Sequence, residues 1–247
     1  IGVITNIGEA HLENFKNVHG IAKAKSEIIE NIESGGTIIL NRDDKFFNYL
    51  YQKAKAHNLN ISTFGKHKNS DVRLKKIIKK GDSFKIFINI NNRTIDFLIK
   101  DLNVNNVLSS IAVLSELRID ISKIKTKFEK IKLPEGRGRK HLIKRYKKKF
   151  KLIDESYNAN PSSVKNAITK LNLIKKEKFK KFLILGDMLE LGPKSKKYHK
   201  ELSKVINKSD IDKVFVKGKK TIFTYKQLNK NKRGNILQNN EDIDIIL

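Results

Sequence analysis

The stretch Thr5-Asn6-Ile7-Gly8-Glu9-Ala10-His11-Leu12-Glu13 gathers polar side chains immediately after the apolar run Gly2 to Thr5. Ligands of open α/β sheets collect beyond the carboxyl ends of strands. Asn6, His11 and Glu13 are therefore candidates to bind a phosphate-bound metal ion, although a polar loop with a helix-capping Asn accounts for the same residues. Downstream, Ile21, Ile28, Ile29 and Ile32 recur at helical spacing. Lys25 lies four residues after Ile21 and three before Ile28, which puts it on that stripe and leaves Lys23 off it. A lysine facing a core either snorkels to water or is desolvated toward a neutral amine. A neutral amine can add carbon dioxide to give a carbamate, turning a cation into a carboxylate-like ligand for Mg²⁺. Position alone favours snorkelling.

Positioning such residues takes strands and helices in alternation, and the pattern supplies them. A strand over Gly2 to Thr5 leads to a helix over about Val18 to Ile32, closed by Gly35-Gly36. Thr37 to Leu40 and Ile61 to Phe64 read as strands. Between them Asn41 is expected to cap a helix, with Asp43 and Asp44 in its first turn. Val72–Ile78, Phe84–Ile90 and Thr94–Ile99 alternate apolar and polar residues, with turns at Gly81-Asp82 and Asn91-Asn92, and predict an antiparallel meander. A helix from Val104 to about Leu117 buries Val107, Leu108, Ile111 and Leu114. Leu133-Pro134-Glu135-Gly136-Arg137-Gly138-Arg139 is the clearest break, so the expected domains are 1–133 and 134–247. The second is expected to be doubly wound: strands Lys151–Glu155, Phe182–Gly186 and Lys213–Val216 alternate with helices Ser162–Ile174 and Lys196–Ile206.

Composition narrows the class. The 247 residues contain no cysteine, which excludes disulfides and thiolate metal sites. No apolar run approaches the roughly 20 residues that cross a bilayer, and no signal-peptide layout opens the chain, so a cytoplasmic protein is expected. The formal net charge is +27. Clustered cations of that order suit nucleic acid, but the excess is nearly all lysine, spread along the chain without interleaved aromatics. Net charge of this kind speaks to solubility and non-specific binding. Met188 is the only methionine, and the chain begins and ends in apolar sequence, so an internal piece of a longer protein is expected.

Thr5-Asn6-Ile7-Gly8-x-Ala10-His11-Leu12-Glu13, followed by Ile21-Ala22-Lys23-Ala24-Lys25-Ser26-Glu27-Ile28, resembles the central ATP-binding domain of the Mur ligase family. The resemblance is to the branch that joins D-alanyl-D-alanine to UDP-N-acetylmuramoyl-tripeptide in peptidoglycan precursor synthesis. It implies that His11 and Lys25, the latter as a carbamate, hold Mg²⁺. Asn41-Arg42-Asp43-Asp44 and Phe64-Gly65 with Asp71-Val72 are similar to further family patterns. Asn103-Val104-x-Asn106 resembles a helix start that contacts adenine, with Leu102 where the family usually has His. Gly136-Arg137 resembles an inter-domain pair whose guanidinium reaches the nucleotide, a task suited to a planar donor fork. Asp154-Glu155-Ser156-Tyr157-Asn158-Ala159-Asn160-Pro161 is similar to a family octapeptide whose second acid, here Glu155 in place of Asp, lies near the ribose. Asn160 before Pro161 is equally a helix start. Leu185-Gly186-Asp187-Met188-Leu189-Glu190-Leu191-Gly192, with Ser195 and His199, resembles the family's next strand, loop and helix.

Taken over, these matches imply ATP and Mg²⁺ as cofactors, with Asn103, Asn106, Arg137, Glu155 and Tyr157 at the nucleotide. Asn158, Asn160 and Glu190 are implied at the substrates. The implied reaction is phosphorylation of a carboxylate to an acyl phosphate, then attack by an amine. The implied fold is a partial central domain, a mixed α/β sheet with an antiparallel meander, followed by a Rossmann-like carboxy-terminal domain, in a monomer. No Gly-x-x-x-x-Gly-Lys-Ser/Thr phosphate loop occurs in the sequence, so the isolated chain is expected to be inactive. Two alternatives stay open: a sibling Mur ligase or folylpolyglutamate synthase, for which Ser156 to Pro161 is not expected, and a basic nucleic-acid-binding module.

Overall fold

The computed structural model describes residues 1–9, 12–15, 17–81, 83–90, 92–100, 102–145, 147–176, 179–239 and 242. They form two compact units, Ile1–Gly8 with Asn17–Leu133, and Glu9–Lys16 with Pro134–Leu247.

The first unit is built on a six-stranded sheet in sequential order. Its elements are β1 (Gly2–Ile4), α1 (Val18–Glu30), β2 (Thr37–Asn41), α2 (Phe47–Ala56), β3 (Asn60–Gly65), β4 (Val72–Lys80), β5 (Ser83–Ile90), β6 (Arg93–Ile99), α3 (Val104–Glu116), α4 (Ile121–Ile124) and α5 (Lys127–Lys130). Strands β1 to β4 pair in parallel, and β4, β5 and β6 form the antiparallel meander. The switch follows the side-chain pattern. Ile38, Ile39 and Leu40 of β2 are all buried, as a strand covered on both faces requires. In β5, by contrast, only every second residue from Ile86 to Ile90 is buried. Asn92 turns the second hairpin with φ +62° and Gly81 the first with φ +57°; Asp82 and Asn91 lie outside the described residues. Helix α3 buries Val107, Leu108, Ile111 and Ala112 against Phe64, Ile88 and their neighbours.

Asn41 does not cap α2. It ends β2, where its amide donates to the Thr5 carbonyl at 3.0 Å and its side-chain oxygen accepts from Asp43 N–H at 3.0 Å. The side chain is used up tying β1 to β2 and closing a local turn, so the helix starts only at Phe47.

The second unit contains β7 (Arg139–Arg145), β8 (Lys148–Asp154), α6 (Pro161–Leu173), β9 (Phe182–Gly186), α7 (Ser195–Asn207), β10 (Lys213–Lys217), α8 (Thr221–Tyr225) and β11 (Arg233–Ile236). Strands β9, β10 and β11 make a parallel sheet with β10 central. Ile168, Leu185, Leu202, Ile206, Val214 and Val216 fill the core under it. The strand expected at Lys151–Glu155 is β8, and among the described residues it pairs with β7 as an antiparallel ribbon rather than joining that sheet. Lysine at Lys148, Lys149 and Lys151 denies it the continuous apolar run of a strand buried on both faces.

Among the described residues, two lysines of this unit are internal. Lys181, 2% exposed, donates to both Asp210 carboxylate oxygens at 2.8 and 2.6 Å and to the carbonyls of Asn172 and Ile174. Lys232 donates to the carbonyls of Ser209 and Ile211 at 2.7 and 2.8 Å, and burial holds its pKa below the usual lysine value. Together they clamp the turn that feeds β10. Asp210→Ala leaves the Lys181 ammonium buried against neutral carbonyls only, and is expected to cost about 3 kcal/mol in urea unfolding. Lys181→Met, which removes the charge itself, is expected to cost less.

Candidate functional site

In the first unit the candidate residues cluster past the end of β1. Ile7 N–H donates to the Asp44 carboxylate at 2.7 Å, and the same carboxylate accepts from Phe46 N–H at 2.8 Å. Asp43 takes the N–H groups of Lys66 and His67 at 2.6 and 2.9 Å. Gly65 permits this: a Cβ there would lie 2.8 Å from an Asp43 oxygen. Lys25 reaches the same end, its Nζ donating to the Asn6 carbonyl at 3.0 Å.

Lys25 is exposed rather than part of an apolar stripe. Helix α1 buries Ile21, Ala22, Ser26 and Ile29, while Ile28 is largely exposed. Ser26 Oγ accepts from Lys53 Nζ of α2 at 3.0 Å, so the buried face is centred on Ala22, Ser26 and Ile29 and leaves Lys25 and Ile28 outside it. The ammonium therefore snorkels to a backbone acceptor. His11 lies outside the described residues. Among those described, no group of three or more His, Cys, Asp or Glu could hold a metal ion. As an ammonium, Lys25 is a donor and fits no cation; its carbamate would.

Asn103 caps α3, its side-chain oxygen accepting from Asn105 and Asn106 N–H at 2.9 and 3.4 Å. Asn103 and Asn106 both remain exposed at the helix start. Their amides carry the paired donors and acceptors that a purine edge needs.

In the second unit, Gly136, Arg137 and the end of β8 form one hydrogen-bonded assembly. Gly136 N–H donates to the Asp154 carboxylate at 3.1 Å, and Ser156 N–H to its other oxygen at 3.0 Å. Hydrogen bonds from Ser156, side chain first and then backbone, with a lesser one from Gly136, hold the Asp154 pKa below the usual carboxylate value. Tyr157 N–H donates to the Gly136 carbonyl at 3.1 Å. The Arg137 guanidinium consequently lies over the Tyr157 ring, 4.0 Å from its centroid, although the tyrosine is 67% exposed. A planar cation stacked on an exposed ring suits a base or a phosphate. Glu155 is 3.9 Å from Lys170. Asn158 accepts from Ala159 N–H at 2.7 Å. Asn160 exchanges hydrogen bonds with Ser163 as a capping box at the start of α6.

Residues 9–16 also belong to this unit. The Tyr198 hydroxyl donates to Glu9 at 3.1 Å, and its pKa is raised by burial and by that carboxylate. Glu13 N–H donates to the Glu190 carbonyl at 3.0 Å. Two residues of the motif that runs from Leu185 to His199 carry no role in the sequence reading and are placed here by their partners. Asp187 accepts from Lys220 and Thr221 N–H at 2.9 and 2.7 Å, and buried His199 accepts from Met188 N–H at 3.1 Å. The Asp187 contact follows from register: Lys217 pairs with Gly186, so the next residues, Gly218 and Asp187, fall side by side.

These two units are those of a ligase family. The Mur ligase middle domain matches residues 1–114 and the Mur ligase, glutamate ligase domain matches residues 138–242. The chain belongs to the Mur ligase family. Over 229 residues, 91% of its length, it is 31% identical to the UDP-N-acetylmuramoyl-tripeptide--D-alanyl-D-alanine ligase of Rickettsia prowazekii (strain Madrid E), of which it covers 50%. It superposes on MurF from Acinetobacter baumannii with TM-score 0.84 and 26% identity, covering 99% of this chain and 52% of that one. MurF ligase from Thermotoga maritima in complex with ADP gives TM-score 0.80 and 25% identity, covering 99% and 54%. L. casei FPGS in its apo form shares the fold, at TM-score 0.61 and 12% identity, covering 95% and 57%. The chain spans about half the length of the curated relatives it matches.

Gly136 has φ +71°, and a Cβ there would lie 2.7 Å from Tyr157 N. Gly136→Ala is expected to cost about 1–3 kcal/mol and to separate Arg137 from Tyr157, measurable as a fall in thermal midpoint and a change in tyrosine fluorescence. The depressed Asp154 pKa contributes stability that is complete above the unfolded-state value and lost as pH falls through the folded one. Asp154→Asn is expected to flatten the thermal midpoint against pH below about 4.

Proposed function

We propose that the chain is the ATP- and amine-handling part of a ligase that adds D-alanyl-D-alanine to UDP-N-acetylmuramoyl-tripeptide in peptidoglycan precursor synthesis, in the cytoplasm and as a monomer. The observation that carries this is the 31% identity to a D-alanyl-D-alanine ligase along nearly the whole chain, against a likeness to FPGS that supports fold alone. Among the described residues no helix is long and apolar enough to cross a membrane. The lysines of β4, β8 and α7 fall in both units, which disfavours a single nucleic-acid face.

In this reading Asn103 and Asn106 present amides to adenine. Arg137, stacked on Tyr157, meets the nucleotide, and Glu155 meets the ribose. Asn158 and Glu190 orient the substrates, while Asn160 serves them by fixing the start of α6. Lys25, once its neutral Nζ has added carbon dioxide and released a proton, would hold Mg²⁺ with His11. When bound, that ion neutralises charge on the transferring phosphoryl group. The muropeptide carboxylate becomes an acyl phosphate, the D-alanyl-D-alanine amine attacks it, and phosphate leaves. Orientation of the reactants and exclusion of water are what the protein contributes beyond charge.

Joined to the amino-terminal half of a Mur ligase, the chain is expected to form ADP, phosphate and the extended muropeptide; unjoined, it is expected to form none. Lys25→Ala in the joined enzyme is expected to lower kcat about 10²–10³-fold. It should also abolish a carbamate carbonyl resonance raised by ¹³C-labelled bicarbonate. Full activity of Lys25→Ala would sink the assignment.

A further inference from the structure

The loop after β9 leaves the sheet at the carboxyl end, where substrates of open α/β sheets collect. Its ends are held. Asp187 accepts from the backbone of Lys220 and Thr221, and a Cβ at Gly218 would lie 2.4 Å from the Asp187 carboxyl carbon. Met188 and Leu191 are buried, while Leu189, 73% exposed, and Glu190 lie outward. Glu190 has φ +58°, a left-handed backbone that a residue with a Cβ keeps only when its surroundings impose it.

The loop is held at two points: the Glu190 carbonyl accepts from Glu13 N–H at 3.0 Å, and Met188 N–H meets a buried imidazole. His199, 0% exposed, touches two backbone groups of opposite kind. Its Nδ1 lies 2.8 Å from the Ser195 carbonyl, which can only accept, so the ring proton is on Nδ1. Its Nε2 lies 3.1 Å from Met188 N–H, which can only donate, so Nε2 offers its lone pair. One neutral tautomer satisfies both contacts. The helix turn that carries the ring is secured from α8, where the Thr224 hydroxyl donates to the His199 carbonyl at 2.7 Å.

We propose that His199 is a positioning residue for the acceptor amine: as the Nδ1-protonated neutral imidazole it holds Met188 N–H and thereby sets the loop that presents Glu190. The carboxylate so presented complements the ammonium end of an incoming dipeptide. This rests on the substrate-orienting role given to Glu190 above and narrows it to the amine-bearing substrate.

The test is a titration of the ¹⁵N-labelled full chain with D-alanyl-D-alanine, read at the amides of residues 187–192, together with amide exchange at Met188. Val214 and Val216 of β10 report whether the unit is folded. His199→Phe, which lacks the acceptor, is expected to speed Met188 exchange about tenfold or more and to weaken dipeptide binding about tenfold, with β10 still protected. His199→Gln, whose side-chain oxygen can replace Nε2, is expected to match the wild type in both. A role in packing alone would not be rescued by Gln, so failure of Gln with β10 protected overturns the proposal. Wild-type exchange and affinity in His199→Phe overturn it as well. Should His199→Phe unfold, His199→Gln and the wild-type imidazole ¹⁵N spectrum decide: a proton on Nε2 at neutral pH overturns the proposal. No dipeptide response in the wild-type loop overturns the acceptor reading itself, whereas a response indifferent to His199→Phe overturns only the His199 role.

Discussion

A strand that leaves a sheet strips its backbone of ladder partners, and the loops at the carboxyl ends of these strands depend on acceptor side chains to replace them. Asp44 takes Ile7 N–H past β1, and Asp43 takes Lys66 and His67 N–H past β3. Past β8 it is Asp154 that accepts from Gly136 and Ser156, and past β9 His199 accepts from Met188. An unpaired amide in such a position costs about as much as a lost hydrogen bond. Each acceptor therefore fixes a loop path, and the loop path fixes where the neighbouring functional side chain is shown. Arg137 over Tyr157 is one product of that constraint.

Charge works at two levels. Most of the +27 is solvated lysine, which governs solubility and non-specific attraction more than fold. Lys181 and Lys232 are different: both are buried, both end on carbonyls, and both bind the turn before β10. An ammonium is tolerated there because its donors find oxygen acceptors in the same place. Lys25 is intermediate, exposed along its length yet anchored by Nζ to the Asn6 carbonyl. That anchorage keeps it at the end of β1, where a carbamate on the same nitrogen would be delivered.

Membership of the Mur ligase family places these details in a common frame. The family's two domains match nearly all of the chain. The first unit holds the α3 cap with Asn103 and Asn106, and the second holds the Gly136–Tyr157 assembly and the loop after β9. Of the two departures, Leu102 is partly buried and packs against the core of the first unit, while Glu155 is exposed.

Sequence by itself determined the alternation of strands and helices in the first unit, the meander that follows β4, and strands β8, β9 and β10 with helices α6 and α7 in the second. All of these are written in local period, turn chemistry and short motifs, which the chain carries without help from distant segments. Tertiary structure alone decided how Asn41, Lys25, His199 and the β7–β8 ribbon are used. Asn41 looked like a cap until Thr5 claimed its amide. Lys25 shared a spacing with isoleucines, but the face that α1 buries runs through Ile21, Ala22, Ser26 and Ile29 and leaves Lys25 and Ile28 outside it. His199 shares a helical spacing with Leu202 and Ile206, but its partner is a backbone N–H eleven residues away, which no local period shows. Period tells which faces are apolar; which face is buried, and which polar group finds which partner, depends on what packs against it.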